Sequence, residues 1–325
     1  MPLTKEQILT LTCLKEVGVK GVGPQKIISI GAAIHDRNSA VDSYEDLAEI
    51  MKDMKEAAIR KVTLSDLIEA SQVAQQIIDT NAQANIGLVG FYDEDYPEIL
   101  RETVNEEGKL DPPLLLWYRG DLSITKLPGL AVIGTREATP EGIAAGTYLA
   151  GEFAKRELNI VSGLAVGCDT CGHKGALKVN GKTTAILANG LDQDSIYPPE
   201  NKDLAEEIVE KGGLLLSEYR MGTPVNRYNL VARDRLQSGL AKATLVVQTG
   251  KNGGTMHAAT ATLAAGKPLY TIFFKDEETR QHEKSLGNAL LVSKGGKYIK
   301  GDDNIDEIVD AIMNRESFKE DLFAE

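Results

Sequence analysis

Residues 246–270 read VVQTGKNGGTMHAATATLAAGKPLY. An apolar, β-branched string passes through Gly250, Gly253, Gly254 and Thr255 into an alanine-rich helical pattern. A strand that enters a helix through Gly-Gly-Thr aims backbone N–H groups and a hydroxyl at one point, with the positive end of the helix dipole behind them. Such a point favours an anion, most often a phosphate. On this stretch alone, a plain strand-to-helix turn in which glycine relieves backbone crowding fits equally well.

Working outward, the pattern from Ile86 onward alternates strand and helix. Candidate strands are IGLVGF, LLLWYR, GLAVIGT, NIVSGLA, KTTAILAN, GGLLLSE, ATLVVQT and KPLYTIFF, and helical patterns occupy 141–157, 170–180, 201–212, 229–241 and 255–265. Continuous apolar strands separated by helices signal an α/β fold with a doubly wound, mostly parallel, Rossmann-like sheet. Ligands in such folds sit at the carboxyl ends of the strands. Three loops there carry similar residues: Gly134-Thr135-Arg136 after AVI, Ser162–Gly167 after NIV, and Gly253-Gly254-Thr255 after TLVVQ. Small residues with exposed N–H groups, hydroxyls and the fork of Arg136 on one rim, joined by Arg233 and Arg235 from a neighbouring segment, predict a phosphate pocket.

The preceding region, residues 1–85, reads as a small all-helical domain, since apolar positions recur at three- and four-residue spacing in EQILTLTCLKEVG, QKIISIGAAI and LSDLIEASQVAQQII. Its turn Val17–Lys26, VGVKGVGPQK, resembles the helix-hairpin-helix element, whose N–H groups can hold a nucleic-acid phosphate; a purely structural turn is the alternative. The expected division is thus 1–85 helical, 86–300 Rossmann-like core, and 301–325 an acidic helix or tail.

The 325 residues, 42% of them hydrophobic, can bury a full α/β core with room for a smaller domain. No apolar window is long enough to span a membrane and the N-terminus lacks a signal-peptide pattern, so a cytoplasmic location is expected. Cys13, Cys168 and Cys171 are too few for a disulfide framework. Cys168-Asp169-Thr170-Cys171 has C-x-x-C spacing beside His173, but no second ligand pair accompanies it; two small residues at a tight turn are the expected reading, with no metal and no cofactor. A net charge of −12 argues against diffuse attraction of polyanions. Yet residues 219–267 carry +6, and residues 301–325 carry −7. Positive charge is concentrated where the glycine turn lies.

Two nucleotide fingerprints are absent. The first strand-helix turn of the core, GTREATPEG, lacks the G-x-G-x-x-G of dinucleotide folds, and no G-x-x-x-x-G-K-[ST] occurs.

The ordered series AVIGTREATPEG, IVSGLAVGCDTCGHKGAL, GKTTAILANGLDQDSIYPPENKDL, GGLLLSEYRMGTP and VARDRLQSGLAKATLVVQTGKNGGT resembles the DNA-processing protein A family, DprA or Smf, over roughly residues 90–275. The resemblance implies a cytosolic bacterial or phage-borne protein, working as a homodimer without an enzymatic reaction. It would bind single-stranded DNA without marked sequence preference, protect DNA entering in natural transformation, and help load a RecA-type recombinase. By motif it places Arg136 at the DNA-phosphate pocket, with Ser162, Gly163, Gly167 and Asp169 lining it. Lys202 falls in the YPPENK segment, Arg233 and Arg235 stand where the family writes R-N-R, and Gly253, Gly254 and Thr255 complete the rim. Gly134, Thr135, Arg227 and Lys251 join the candidate set as loop and basic-strip members, and Tyr197, Tyr219 and Tyr228 are candidate stacking platforms.

Departures from the family pattern are Asp234 between the two arginines, which would weaken a phosphate contact or orient a guanidinium, and the acidic tail where many members carry a winged helix. Ile305, Ile308, Val309, Ile312 and Met313 predict a short amphipathic helix there. The rival is a phosphoribohydrolase of the same fold group, whose P-G-G-x-G-T-x-x-E signature ends on a catalytic glutamate. Here Ala258 holds that position, which removes the acid/base group. His173 and His257 are candidate bases by location only, and a sensor for a free nucleotide derivative would use the same loops.

Overall fold

The computed structural model describes residues 3–37, 40–105, 107–302 and 304–314. The chain divides into two compact units, one built from the residues up to Tyr96 with Pro113–Trp117, the other from Pro97–Pro112 and the described residues from Tyr118.

In the first unit, α1 (Lys5–Cys13), α2 (Pro24–Asp36), α3 (Tyr44–Lys52), α4 (Ala57–Arg60) and α5 (Leu64–Gln83) precede the short strand β1 (Gly87–Gly90). Local chemistry starts three of them. Thr4, Ser43 and Thr63 each accept the backbone N–H three residues on, and Gln7, Asp46 and Asp66 reach back to the cap residue's N–H. Each reciprocal box satisfies donors that a helix start otherwise leaves bare. Burial of one face completes the unit: Ile8, Leu11, Ile30, Leu47 and Leu67 are without exposed surface. The glycine turn between α1 and α2 places Gly18 and Gly21 at φ of 89° and 91°, the left-handed region where glycine is unstrained. Lys26 donates its ammonium to the Gly21 carbonyl at 2.5 Å, so this lysine secures the turn itself.

β2 (Leu115–Gly120) leads into the second unit, where β3 (Gly129–Ile133), α6 (Pro140–Ala154), β4 (Asn159–Ser162), α7 (Cys168–Lys178), β5 (Thr183–Leu187), α8 (Lys202–Glu210) and β6 (Leu214–Ser217) alternate as expected. Then come α9 (Arg227–Leu240), β7 (Ala243–Val246), α10 (Gly254–Ala264) and β8 (Leu269–Ile272). α11 (Glu277–Gln281), α12 (Leu286–Ser293), β9 (Lys297–Ile299) and α13 (Ile305–Met313) follow. α11, α12 and β9 were not anticipated, because a three-residue strand among lysines and two short helices carry too few apolar repeats to declare a period. His257 lies on α10, and the tail beyond Asn314 lies outside the described residues.

The strands of this unit lie in the order β6-β5-β4-β3-β7-β8-β9, with β3 pairing β4 and β7, β5 pairing β4 and β6, and β8 pairing β7 and β9, all parallel. After β3 the chain winds outward through β6, then returns to place β7 on β3's other side. This reversal opens a crevice above the carboxyl ends of β3 and β7, the position at which doubly wound sheets hold ligands. Strands buried on both faces explain the near-continuous apolar runs: Leu130, Val132, Ile160, Ile186, Leu215 and Leu245 have no exposed surface.

α6 and α7 pack on one face of this sheet through small residues. A Cβ at Gly146 would fall 2.6 Å from the Cys171 sulfur and 2.9 Å from a Val247 methyl. Gly146→Ala should gain about 1 kcal/mol of helix propensity and lose more to overpacking, on the order of 1–3 kcal/mol. The expected net result is a lower denaturant midpoint. An unchanged or higher midpoint would show that α6 can retreat from α7 at little cost.

Candidate anion-binding site

The crevice above β3 and β7 is a cavity of about 540 Å³ whose lining includes Gly134, Thr135, Arg136, Asp169, Arg227, Arg233, Gly253, Gly254 and Thr255. Nine of the candidate residues therefore converge from four separate segments. Parallel register brings them together: Ile133 pairs with Val246, so the loops after β3 and β7 leave the sheet side by side.

The geometry of the glycine turn decides between crowding relief and an open approach. α10 begins after Gly253 without a side-chain cap, and a Cβ placed at Gly253 or Gly254 would meet nothing within 4 Å. The glycines do not relieve crowding; they keep the approach to the helix N-terminus open. Among the described residues, no partner takes the N–H groups of Gly254 and Thr255. Arg136 faces the same cavity, is exposed, and its guanidinium makes no ion pair or hydrogen bond among the described residues. Arg227, at the first position of α9, lies over the Tyr228 ring at 4.9 Å, and Tyr228 is 71% exposed. Unengaged donors and a free guanidinium around one opening form a seat for an anion.

Other expectations are corrected. Arg233 is 6% exposed, donates from Nη1 to the carbonyls of Gly163 at 2.8 Å and Ile186 at 2.5 Å, and from Nε to Asp234 at 3.1 Å. Its guanidinium touches the cavity floor, but the strand ends consume much of its donor capacity. Asp234, the departure from the family pattern, accepts that Nε hydrogen and lines the same cavity. Arg235 does not reach this cavity. It is held bidentately by Glu218 at 2.6 and 2.8 Å and by Asp111 at 2.8 Å, on the side of α9 away from Arg233.

The loop after β4 supports the site rather than presenting donors. Ser162 is fully buried and donates to the Val132 carbonyl at 2.6 Å, stitching β4 to β3. Gly163 gives its N–H to Asp169 at 3.1 Å, and a Cβ there would lie 2.0 Å from Arg233 Nη1. Gly167, at φ 80°, lets this loop pass against the carbonyls of Thr135 and Arg136, each 2.5 Å from a notional Cβ. None of these three lines the cavity. Nor do Lys202 and Lys251. The segment containing Lys202 reaches the β4 loop through Asn201, which donates to Leu164 O at 2.7 Å and Thr170 Oγ1 at 2.8 Å.

Lys284, Gln248 and Ser285, in or behind the crevice wall, had no sequence signal. Lys284, ahead of α12, lines the cavity and pairs with Glu137 at 2.5 Å. Buried Gln248 accepts the Thr139 N–H at 2.9 Å and donates to Ser285 at 2.8 Å, tying the start of α6 to the Lys284 loop. The Lys284–Glu137 and Gln248–Thr139 contacts each span more than a hundred residues of chain, and no local pattern announces them.

The cysteines pack. Cys168 and Cys171 are buried free thiols, Cys171 donates to the Cys168 carbonyl at 2.9 Å, and burial pushes the Cys171 thiol up to about 12. His173 is fully buried below the sheet ends, with Nδ1 and Thr183 Oγ1 2.7 Å apart, so its place as a candidate base at the rim is corrected. Thr183 spends its own hydrogen on the Ile160 carbonyl, which leaves Nδ1 of His173 as the donor.

The class that emerges is a Rossmann-like α/β protein with a crevice lined by polar and basic residues at its topological switch point. More particularly, the chain belongs to the DNA recombination-mediator protein A family, whose model matches residues 87–312. It is 35% identical over 162 residues to DNA processing protein DprA of Streptococcus pneumoniae, covering 50% of this chain and 56% of that protein. It is 35% identical over 190 residues to Protein Smf of Escherichia coli, covering 58% and 49%. The chain spans about half the length of the curated relatives it matches, 56% of Protein Smf from Synechocystis for example. The X-ray structure of DprA from Streptococcus pneumoniae matches 94% of this chain and 99% of its own, with a TM-score of 0.69 at 27% identity. DNA processing protein A from Helicobacter pylori, whose structure was described for its single-stranded DNA binding mode, matches 70% of this chain and 95% of its own, with a TM-score of 0.57 at 28% identity.

Beneath the site, two buried groups titrate in opposition. Burial drives the His173 imidazole down from 6.5 to about 3, with Arg233 adding to the effect. Burial raises the Asp169 carboxyl from 3.8 to about 6, against the pull of Arg233. As pH falls below 6.5 the unfolded chain protonates His173 while the fold does not, and stability is lost. Between 6 and 3.8 the fold protonates Asp169 while the unfolded chain does not, and stability is gained. Asp169→Asn removes the gain, so its stability should fall more steeply than wild type over this window, by up to about 1.4 kcal/mol per pH unit. Denaturant midpoints at about pH 6 and about pH 4 measure it; parallel slopes would mean that Asp169 titrates at its ordinary value.

Proposed function

We propose that this protein binds single-stranded DNA at the switch-point cavity and delivers it to a RecA-type recombinase, without turning over a substrate. The observation that carries the reading is Arg136, exposed and without an ion pair among the described residues, on the same cavity as the uncapped start of α10. One phosphate on this seat would meet a fork-shaped cation and the N–H groups of Gly254 and Thr255. Family membership and the Helicobacter pylori relative's single-stranded DNA binding support a strand rather than an isolated anion. Tyr228, exposed beside Arg227, offers a neighbouring base a face on which to stack.

Binding without turnover is supported by Ala258, which stands where the phosphoribohydrolases carry their glutamate and lines this same cavity. The assignment extends, as proposals, to a cytoplasmic homodimer that protects strands during DNA uptake or recombination. Among the described residues no helix is long and apolar enough to cross a membrane.

Fluorescence anisotropy with labelled oligo-dT and a matched duplex, at two salt concentrations, tests the reading. Tight, salt-sensitive binding that prefers the single strand is expected; no binding at low salt sinks it. Arg136→Ala should lower oligo-dT affinity by about tenfold or more, as loss of a charge-assisted hydrogen bond does, and make the salt slope shallower by about 0.7. Lys202→Ala, outside the cavity, should change affinity by no more than about twofold. Equal effects of the two substitutions would argue for diffuse attraction in place of a seat.

A further inference from the structure

Charge is unevenly distributed around the crevice. Its lining brings the cations Arg136, Arg227, Arg233 and Lys284 together with three carboxylates, and so carries one positive charge in excess. Two of the carboxylates are neutralised at contact: Asp234 accepts from Arg233 at 3.1 Å, and Glu137 pairs with Lys284 at 2.5 Å. The third, Asp169, makes no ion pair among the described residues. It stands in the first turn of α7, which the Cys168 N–H fastens to the Thr135 carbonyl at 3.2 Å, next to the loop that carries Arg136. Asp169 is 6% exposed and lines the cavity. Its Oδ2 accepts the N–H groups of Gly163 at 3.1 Å and Ala165 at 3.3 Å, while Oδ1 accepts no hydrogen bond among the described residues.

The other titratable groups of α7 carry no charge near neutral pH. Burial keeps the Cys168 and Cys171 thiols protonated and the His173 imidazole neutral. Asp169 is therefore the group of this helix that places a negative charge beside the crevice, and burial already raises its carboxyl to about 6 against the pull of Arg233. A phosphodiester carries one negative charge, whereas a phosphomonoester acquires a second with a pKa of about 6. One positive charge in excess balances the first and not the second. The second would act on Asp169, so a doubly charged guest would meet repulsion or have to bring a proton with it.

We propose that Asp169 makes the crevice selective for the singly charged phosphodiester inside a strand, against the doubly charged phosphomonoester of a strand end or a free nucleotide. The inference rests on the phosphate reading of the crevice and names the class of phosphate it accepts.

The test uses two competitors with the same base and sugar, thymidine 5′-methylphosphate and dTMP, against labelled oligo-dT on the full chain. At about pH 8, where dTMP is a dianion, wild type should bind the methyl ester about tenfold more tightly than dTMP, as one added charge near a carboxylate predicts. At about pH 5 both dTMP's second charge and that of Asp169 are lost, and the two competitors should become equal. Asp169→Asn should cut the preference at the higher pH to about threefold or less. Asp169→Ser serves if that variant does not melt cooperatively. A merely structural role for Asp169 would weaken both competitors together and leave their ratio unchanged. Equal binding by wild type at the higher pH overturns the proposal, as does a preference that survives in both variants or a methyl ester that fails to displace oligo-dT at millimolar concentration. Direct calorimetric titration of the two esters separates this outcome from the strand reading. If oligo-dT does not bind while the esters still differ as stated, the selection stands and the strand reading fails; if oligo-dT binds and the esters are equal, only the selection fails; if nothing binds, both fail.

Discussion

Arg233 is a guanidinium almost without solvent, and the rim of the second unit depends on it. Its Nη1 gathers the carbonyls of Gly163 and Ile186, at the ends of two neighbouring strands, onto α9. A buried charge of this kind persists only with its hydrogen bonds made and its charge compensated. Asp234 compensates it directly, and Asp169 shares the same surroundings while holding the N–H groups of Gly163 and Ala165. A residue that lines the crevice therefore also holds the protein's own strand ends.

Rigidity beneath leaves freedom above. Once Arg233, Gln248 and Asn201 have engaged the loop carbonyls and N–H groups, the donors left without internal work among the described residues include the Arg136 guanidinium and the first N–H groups of α10. A ligand there would displace water rather than protein contacts, which keeps the reorganisation on binding small. Lys284 is different, because its ion pair with Glu137 must be shared or broken before it could assist an anion.

The different fates of neighbouring side chains at the crevice follow from α9. Successive residues of a helix point about 100° apart, so Arg233 enters the strand ends while Arg235, two positions on, turns to Glu218 and Asp111. One helix thereby gives Arg233 and Arg235 to separate structural tasks, and Val231 and Asp234 are left between them to line the crevice.

The alternating apolar runs determined the parallel α/β class, the helical N-terminal region and the strand ends where ligands gather, because strand and helix periods are local and burial on both faces makes them conspicuous. They also placed Gly134–Arg136 and Gly253–Thr255 on one rim, since parallel strands must all end their carboxyl loops on the same side. What the sequence could not contain was which side chains remain available. Ser162, Gly163, Gly167, Arg233 and Arg235 look like ligand groups by type, yet their partners lie up to 124 residues away, as the bond from Arg235 to Asp111 does. Whether a guanidinium meets solvent, a strand end or a carboxylate depends on contacts between distant segments, and only the tertiary structure decides those.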